Sequence, residues 1–336
     1  MSSRATISDV ASKAGVSIST VSRVLNNTVP VDQETALRVR TAVEELNYTP
    51  HSAARTLASR KTNTIGLLLL DIGGEFYTPL LRGIEAVSSQ AGYDLLIHST
   101  ITSMSGTVSR RALGEHNTDG LLVFTDALDH AELARLQSIS FPVVLMHQSS
   151  PKDLAIPVIT IENQSGAQKV VDHLIERHGC KRILYLQGPE GNEDSEQRER
   201  GYRQSLRKHG LPFDPSLVAR GGFETNRAHA VVAQLLAAGL VFDGIFTGDD
   251  DNAVGVIQAL REAGRDIPRD VAVAGFDDSL FARILTPPLT SVRAPIEQVG
   301  QAAVRQLLRL IRAEQVEARL VLPTELIIRQ SCGCPK

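Results

Sequence analysis

Several side chains in this 336-residue chain stand where they could grip a small polar ligand. They are polar or aromatic residues placed just after short apolar runs. Phe76 and Tyr77 follow IGLLLLDIGG, His147 ends PVVLMH, and Asn192, Asp194 and Arg198 follow RILYLQGPEG. Phe223 follows a Gly-Gly pair, Asp249 follows DGIFTG, and Asp277 follows VAVAGF. An arginine and carboxylates beside aromatic faces suit the hydroxyls and the apolar face of a sugar ring. The chain has no Trp, so any stacking must use Phe or Tyr. The acidic run Asp249, Asp250, Asp251 reads as a helix N-cap plus one ligand contact rather than a metal cluster. Cys332 and Cys334 lack a second Cys or His pair at zinc spacing, so no metal is expected there. His178 and His209 sit near helix ends, where they can meet terminal carbonyls. There is no G-x-S-x-G elbow, P-loop, G-x-G-x-x-G or H-E-x-x-H, so neither catalysis nor a cofactor is expected.

The elements that must position these residues follow from periodicity. From Ile65 onward short apolar runs alternate with helical stretches: IGLLLL, YDLLIH, DGLLVF, PVVLMH and PVITI, then RILYLQ, DGIFTG and VAVAGF. Strands alternating with helices of this length imply parallel, doubly wound sheets. There are two such blocks, about 65–161 and 163–290, then a long helix from Pro295 to Ala313 and a tail with RLVL and ELIIR. A ligand site on such blocks lies between them, at the carboxyl ends of the strands.

Residues 1–48 read differently, as three short helices. Thr6 with Asp9 is a capping-box-like start, and Gly15 can end the first helix in a left-handed turn. Ser17 caps the second, whose inner face is Val21, Val24 and Leu25. That leaves Ile18, Ser19, Ser22, Arg23 and Asn26 outside, with Ser19 and Arg23 on one face. Asp32 caps the third, with Ala36, Leu37, Val39, Val43 and Leu46 inward. Residues 50–61, PHSAARTLASRK, are helix-compatible but too short and polar to fold alone.

Composition bounds the class. Apolar residues are 42% and charged residues 22%, ordinary globular usage. The longest apolar run, Ile65 to Leu70, is far below the ~20 residues a membrane helix needs. The polar first residues and the odd count of three cysteines fit a cytoplasmic chain with reduced thiols. The net charge of −3 is unevenly spread: residues 1–61 carry eight Lys/Arg against five Asp/Glu, the remainder 27 against 33. A basic head on an acidic body can meet DNA with the head alone.

The segment TISDVASKAGVSISTVSRVLNN resembles the helix-turn-helix of the LacI/GalR repressor family. VDQETALRVRTAVEELNYTP is similar to its third helix, HSAARTLASRKTNTIG to its hinge, and VAVAGFDD and the final QSCG to its effector-binding core. The resemblance runs the full length. It implies a head at 1–48, a hinge helix at 49–61 and a core at 62–336 built like periplasmic binding proteins. The core's first subdomain would take about 62–161 and 291–320 and its second about 162–290 and 321–336, with crossings near 162, 291 and 320. Base reading is implied for Ile18, Ser19 and Arg23, the arginine bonding guanine bidentately in the major groove. Thr6, Ser17, Thr20, Ser22 and Asn26 would hold phosphates. Ala54 and Leu57 would line the hinge, with Leu57 wedged into the minor groove. Arg198 and Asp277 would grip the ligand. His147 departs from the pattern, since many members have an acid there. The implied function is a homodimeric repressor on palindromic operator DNA, controlled by a sugar or sugar derivative, with no membrane contact. A transport receptor or an α/β enzyme on the same core is the alternative. The first needs a signal peptide and leaves the head unexplained; the second would show turnover of candidate sugars.

Overall fold

The computed structural model describes residues 5–26, 29–48, 61–71, 73–99 and 113–335. The chain divides into two compact units, 1–62 and 63–336. The first holds helices α1 (Ile7–Ala14), α2 (Ile18–Asn26) and α3 (Gln33–Glu45). The capping box forms: the Thr6 hydroxyl accepts from the Asp9 N–H at 3.3 Å, and the Asp9 carboxylate accepts from the Thr6 N–H at 2.8 Å. Gly15, at φ 63°, closes α1 in the left-handed region and turns the chain toward α2. Val10, Ala11, Ala14, Val21, Val24, Val39, Ala42 and Tyr48 make a small buried core. Leu25, Ala36, Val43 and Leu46 pack half-buried against it, and one expected core residue lies away from it. Leu37 is 66% exposed, because α3 turns Ala36, Val39, Val43 and Leu46 inward and carries Leu37 onto its flank.

The second unit contains two six-stranded sheets. In the first, β1 (Thr64–Leu69), β2 (Asp94–Ser99), β3 (Gly120–Phe124), β4 (Val143–Met146), β5 (Val158–Ile161) and β11 (Arg319–Leu322) run parallel in the order β11-β5-β4-β3-β1-β2. In the second, β6 (Ile183–Gln187), β7 (Val218–Arg220), β8 (Gly244–Thr247), β9 (Ala272–Asp277) and β10 (Thr290–Arg293) are parallel. β12 (Glu325–Ile327) closes its edge antiparallel to β10. Both sheets are doubly wound, which explains the unbroken apolar runs. Ile65, Leu67 and Leu69 of β1 enter one core cluster and Leu68 enters another, so both faces are covered.

The covering helices are α4 (Tyr77–Gln90), α5 (His130–Ser138), α6 (Asn163–His178), α7 (Glu193–Lys208), α8 (Thr225–Ala237), α9 (Asp250–Glu262), the short α10 (Leu280–Ile284) and α11 (Ile296–Ile311). Helix α11 lies against α4 so closely that a Cβ on Gly83 would collide with the Glu297 carbonyl oxygen. The chain crosses between the sheets after Ile161, after Arg293 and between Leu322 and Glu325. The last two crossings follow strands that end at Arg293 and Leu322. Thr290, Ser291 and Val292 complete the second sheet beside β9, and Arg319 to Leu322 pair along β5, so neither strand leaves before its ladder ends.

Candidate functional site

On the head, α2 is capped by Ser17, whose hydroxyl accepts from the Thr20 N–H at 3.2 Å. The same hydroxyl lies 2.8 Å from Ser19 Oγ and 2.9 Å from Thr20 Oγ1. Val21 and Val24 are buried, Ser22 is half-buried, and Ile18, Ser19 and Arg23 are exposed along the opposite ridge. An amphipathic helix with an arginine and hydroxyls on its open face has the chemistry to enter a groove. Thr6 and Ser17 both serve as helix caps, and Asn26 ends α2. Ala54 and Leu57 lie outside the described residues.

The second constellation lies where the carboxyl ends of the two sheets meet. His147 follows β4 in the first subdomain, and Asp194 starts α7 in the second. Asp194 Oδ2 is 2.6 Å from His147 Nδ1, and its Oδ1 accepts from Asn163 Nδ2 at 2.7 Å. Asn163 Oδ1 in turn accepts from Arg198 Nε at 2.8 Å. The Arg198 guanidinium also donates to the Gly248 carbonyl, lies 3.5 Å from Asp277 Oδ1 and stacks 3.8 Å from the Phe276 ring centroid. This places Arg198 between β8 and β9 with almost no freedom, as a preformed donor. A further bond joins the two halves at the rim, where the Ser149 hydroxyl donates to Glu193 at 2.7 Å.

Aromatic side chains flank this network. Phe76, Tyr77 and Phe124 cluster with His147, the Phe76 and Phe124 centroids lying 5.6 and 5.2 Å from its ring. Phe223 lies over Gly188, where an added Cβ would strike its ring, and beside Gly248, where one would first meet the Leu186 carbonyl oxygen. The backbone here is strained: His147, Phe223 and Asp277 have φ of 58°, 62° and 101°. Non-glycine residues in that region cost ~1–3 kcal/mol each and cluster at ligand sites. Among the described residues, His147 Nε2 and both amide atoms of Asn252 are buried without a hydrogen-bond partner. Buried polar groups are as a rule hydrogen-bonded, so these atoms have bonding capacity to offer a ligand or a water.

The electrostatics divide the acids. Burial pushes Asp194 up, but His147, Arg198 and Asn163 outweigh it and hold its carboxyl below the ordinary value. Burial, then the Asp277 charge, raises Asp249 well above it. The same two causes push Asp250 up to about 8, while burial, Asp277 and Glu75 push Asp251 up to about 6. Burial raises Asp277 itself, against the pull of Arg198. Burial and Asp71 lift the Tyr77 phenol to about 12. Carboxyls crowded so densely in a dry site gain from ligand groups that donate hydrogen bonds.

Phe76, Tyr77, His147, Asp194, Arg198, Phe223 and Asp277 thus gather around one cleft. Two further candidates also cap helices: Asn192 caps α7 by accepting from the Ser195 N–H at 2.9 Å, and Asp249 caps α9, as the acidic run predicts, by accepting from the Asn252 N–H at 3.0 Å. Asn163, Phe124, Phe276 and Asn252 were not foreseen. Asn163 opens α6 directly after a strand, the position class that selected the other candidates, and could have been found by it. His178 departs from expectation: its Nε2 faces His173 at 3.3 Å and Cys334 at 3.4 Å rather than a terminal carbonyl.

A three-helix head with an exposed polar face on its second helix, joined to two parallel-sheet subdomains around a polar cluster, defines a ligand-responsive DNA-binding regulator. The comparisons agree. Residues 6–51 match the family model for bacterial regulatory proteins of the lacI family, and 171–332 match that for a periplasmic binding protein-like domain. The HTH-type transcriptional regulator RegA of Clostridium saccharobutylicum is 34% identical over 97% of this chain and 98% of its own. A solved complex of the transcriptional regulator CelR with cellobiose is 31% identical, covers 98% of this chain and 100% of that one, and superposes with a TM-score of 0.73. The lac repressor dimer bound to operator and the anti-inducer ONPF is 25% identical, covers 98% and 99%, and has a TM-score of 0.85. The chain belongs to the lacI family of bacterial regulatory proteins.

Proposed function

We propose that the protein is a transcriptional repressor that binds palindromic operator DNA as a homodimer and is controlled by a sugar or sugar derivative in the core cleft. The observation that carries this reading is Arg198, fixed by Asn163, Gly248 and Phe276 with Asp277 beside it, between aromatic walls. That set offers hydroxyls both a charged donor and a carboxylate acceptor, with Phe223 for the ring face. CelR, which has cellobiose bound, and the lac repressor, a dimer on operator DNA, support the ligand class and the assembly. Ile18, Ser19 and Arg23 read bases, while Thr6, Ser17, Thr20, Ser22 and Asn26 position the head on phosphates. One head covers half of a palindrome, so two copies are needed. Sugar in the cleft alters how the two subdomains close, and through residues 49–61 how the heads engage DNA. Such coupling is typically worth ~1–3 kcal/mol. The acting compartment is the cytoplasm, where the DNA is; among the described residues no helix is long and apolar enough to cross a membrane.

The test is calorimetry with cellobiose and a panel of mono- and disaccharides on the full chain, paired with mobility shifts on the promoter of its own operon. Arg198→Ala and Asp277→Ala should each lower affinity for the responding sugar tenfold or more, since a charge-assisted hydrogen bond is worth ~1.5–3 kcal/mol. Operator binding should persist in both variants while its response to sugar disappears. Unchanged sugar affinity in both variants removes these residues from the site. Turnover of a bound sugar would favour the enzyme reading instead.

A further inference from the structure

We propose that His173, His178, Cys332 and Cys334 form a tetrahedral zinc site that fastens the C-terminal tail to the second subdomain. The ligand atoms converge. His173 Nε2 lies 3.3 Å from His178 Nε2, 3.4 Å from Cys332 Sγ and 3.6 Å from Cys334 Sγ. His178 Nε2 lies 3.4 Å from Cys334 Sγ, and all four atoms fall within 4.8 Å of one another. With Zn–N of about 2.05 Å and Zn–S of about 2.3 Å, a tetrahedron sets N···N at about 3.3 Å and N···S at about 3.5 Å. Four of the six separations already stand at those values, and the other two lie within 4.8 Å.

Local structure explains the convergence. His173 points inward from α6, and His178 is the last residue of that helix before Gly179 ends it at φ 66°. A helix C-terminus favours a nearby cation. Cys332 ends a short 3-10 turn, Gln330–Cys332, and Gly333 at φ 106° lets the chain fold back so that Cys334 faces the same point. The turn is seated independently of any metal: the Ser331 hydroxyl donates to the Val273 carbonyl at 2.6 Å and accepts from the Thr290 N–H at 2.8 Å. Thr290 Oγ1 donates to the Arg329 carbonyl at 3.1 Å and lies 3.1 Å from Cys332 Sγ, which holds the turn beside β10.

The chemistry selects the metal. Two thiols release their protons to solvent and bind as thiolates; two neutral imidazoles bind through Nε2 and keep their protons on Nδ1. The dication and two thiolates sum to zero charge, which suits a site where Cys332 is 2% and His173 8% exposed. Two sulfurs and two nitrogens in a tetrahedron favour zinc, and four protein ligands leave no open position, so the site is structural rather than catalytic. The other acid–histidine group, Asp172, Glu176 and His209, differs in that the Lys208 ammonium already sits 2.7 Å from Asp172. The zinc site lies outside the sugar cleft and stands whether or not the sugar reading holds.

The test uses the full chain grown with zinc, desalted and assayed by plasma mass spectrometry. About one zinc per chain is expected. Cobalt(II) exchange should give thiolate-to-cobalt charge-transfer absorption and the intense visible bands of a tetrahedral site. Cys334→Ser and His178→Asn should each weaken zinc binding by at least about 100-fold, the upper end of what losing a mere outer partner costs. His209→Asn should retain the metal. Circular dichroism confirms that each variant is folded, and the cobalt spectrum of the parent decides the matter should a variant not fold. A parent without zinc and without a tetrahedral cobalt spectrum overturns the proposal. So do folded Cys334→Ser and His178→Asn variants that keep their zinc, or an intact mass showing a Cys332–Cys334 disulfide in the freshly purified protein.

Discussion

Asp194→Asn probes the joint between the two subdomains. The carboxylate is almost fully buried and holds His147 from one side of the cleft and Asn163 and Arg198 from the other. Asparagine keeps the shape and removes the charge. His147 can shift to the tautomer with a bare Nδ1 and accept from the new amide, so that contact survives as a neutral bond. The two bonds then fall from the charge-assisted range, ~1.5–3 kcal/mol, to the neutral one, ~0.5–1.5 kcal/mol. Arg198 loses a carboxylate at 4.0 Å but keeps Asp277 at 3.5 Å. The relief of no longer burying the Asp194 charge offsets part of this loss. The net expectation is ~2 kcal/mol of core stability, a melting shift of about 4 °C. The pH signature follows from the direction of the shift. Asp194 has a folded pKa below 3.8, so its stabilisation is fully present above that value and is lost as pH falls through the folded pKa. Urea unfolding of parent and variant should therefore differ by a constant amount from pH 8 to pH 5 and converge only on the acid limb. A difference under about 0.5 kcal/mol at pH 7, or one that grows toward acid, would refute the role given to this residue.

Three further outcomes are expected. Arg23→Ala should cost ~1–3 kcal/mol of specific operator binding while barely changing non-specific binding; an equal fall in both, read by titration at fixed salt, would make Arg23 a phosphate contact. Asp251→Asn should stabilise the core more at pH 8 than at pH 5. Its carboxyl is pushed up to about 6, so the folded state binds more protons than the unfolded one between about 4 and 6, and the ionised form costs stability above that window. Thermal melts with the opposite pH trend would reject that burial. Leu57→Ala should weaken operator binding and reduce the DNA bend without altering sugar affinity; a circular-permutation assay with an unchanged bend would exclude a wedge at the hinge.

Periodicity carried the architecture because it is local. The runs from Ile65 to Leu69 and from Ile183 to Leu186 are apolar on both faces, and a strand covered by helices on both sides requires that. The position after a strand located the cleft for a similar reason: in a doubly wound sheet every such residue comes to one end. The same rule could not say which side chains would also cap the helices they begin. Asn192 and Asp249 head helices, and each gives one oxygen to a backbone N–H of the first turn, which leaves the Asn192 amide N–H groups and the second Asp249 oxygen for other partners. Where partners are distant in sequence, local spacing places a boundary only to within a few residues. Val292 belongs to the second sheet because β9 and β12 flank it, which is a property of the ladder and not of its own neighbours. The cysteines present the same difficulty in sharper form. Zinc-ligand spacing is informative only when both pairs sit on one supersecondary unit. Here one pair ends helix α6 and the other ends the chain, and only the return of the tail beneath β9 and β10 brings them together. A search for metal sites in relatives of this fold should therefore start from pairs at helix ends that the topology makes neighbours, since a pair such as His173 and His178 carries no signal until its partner strand is known.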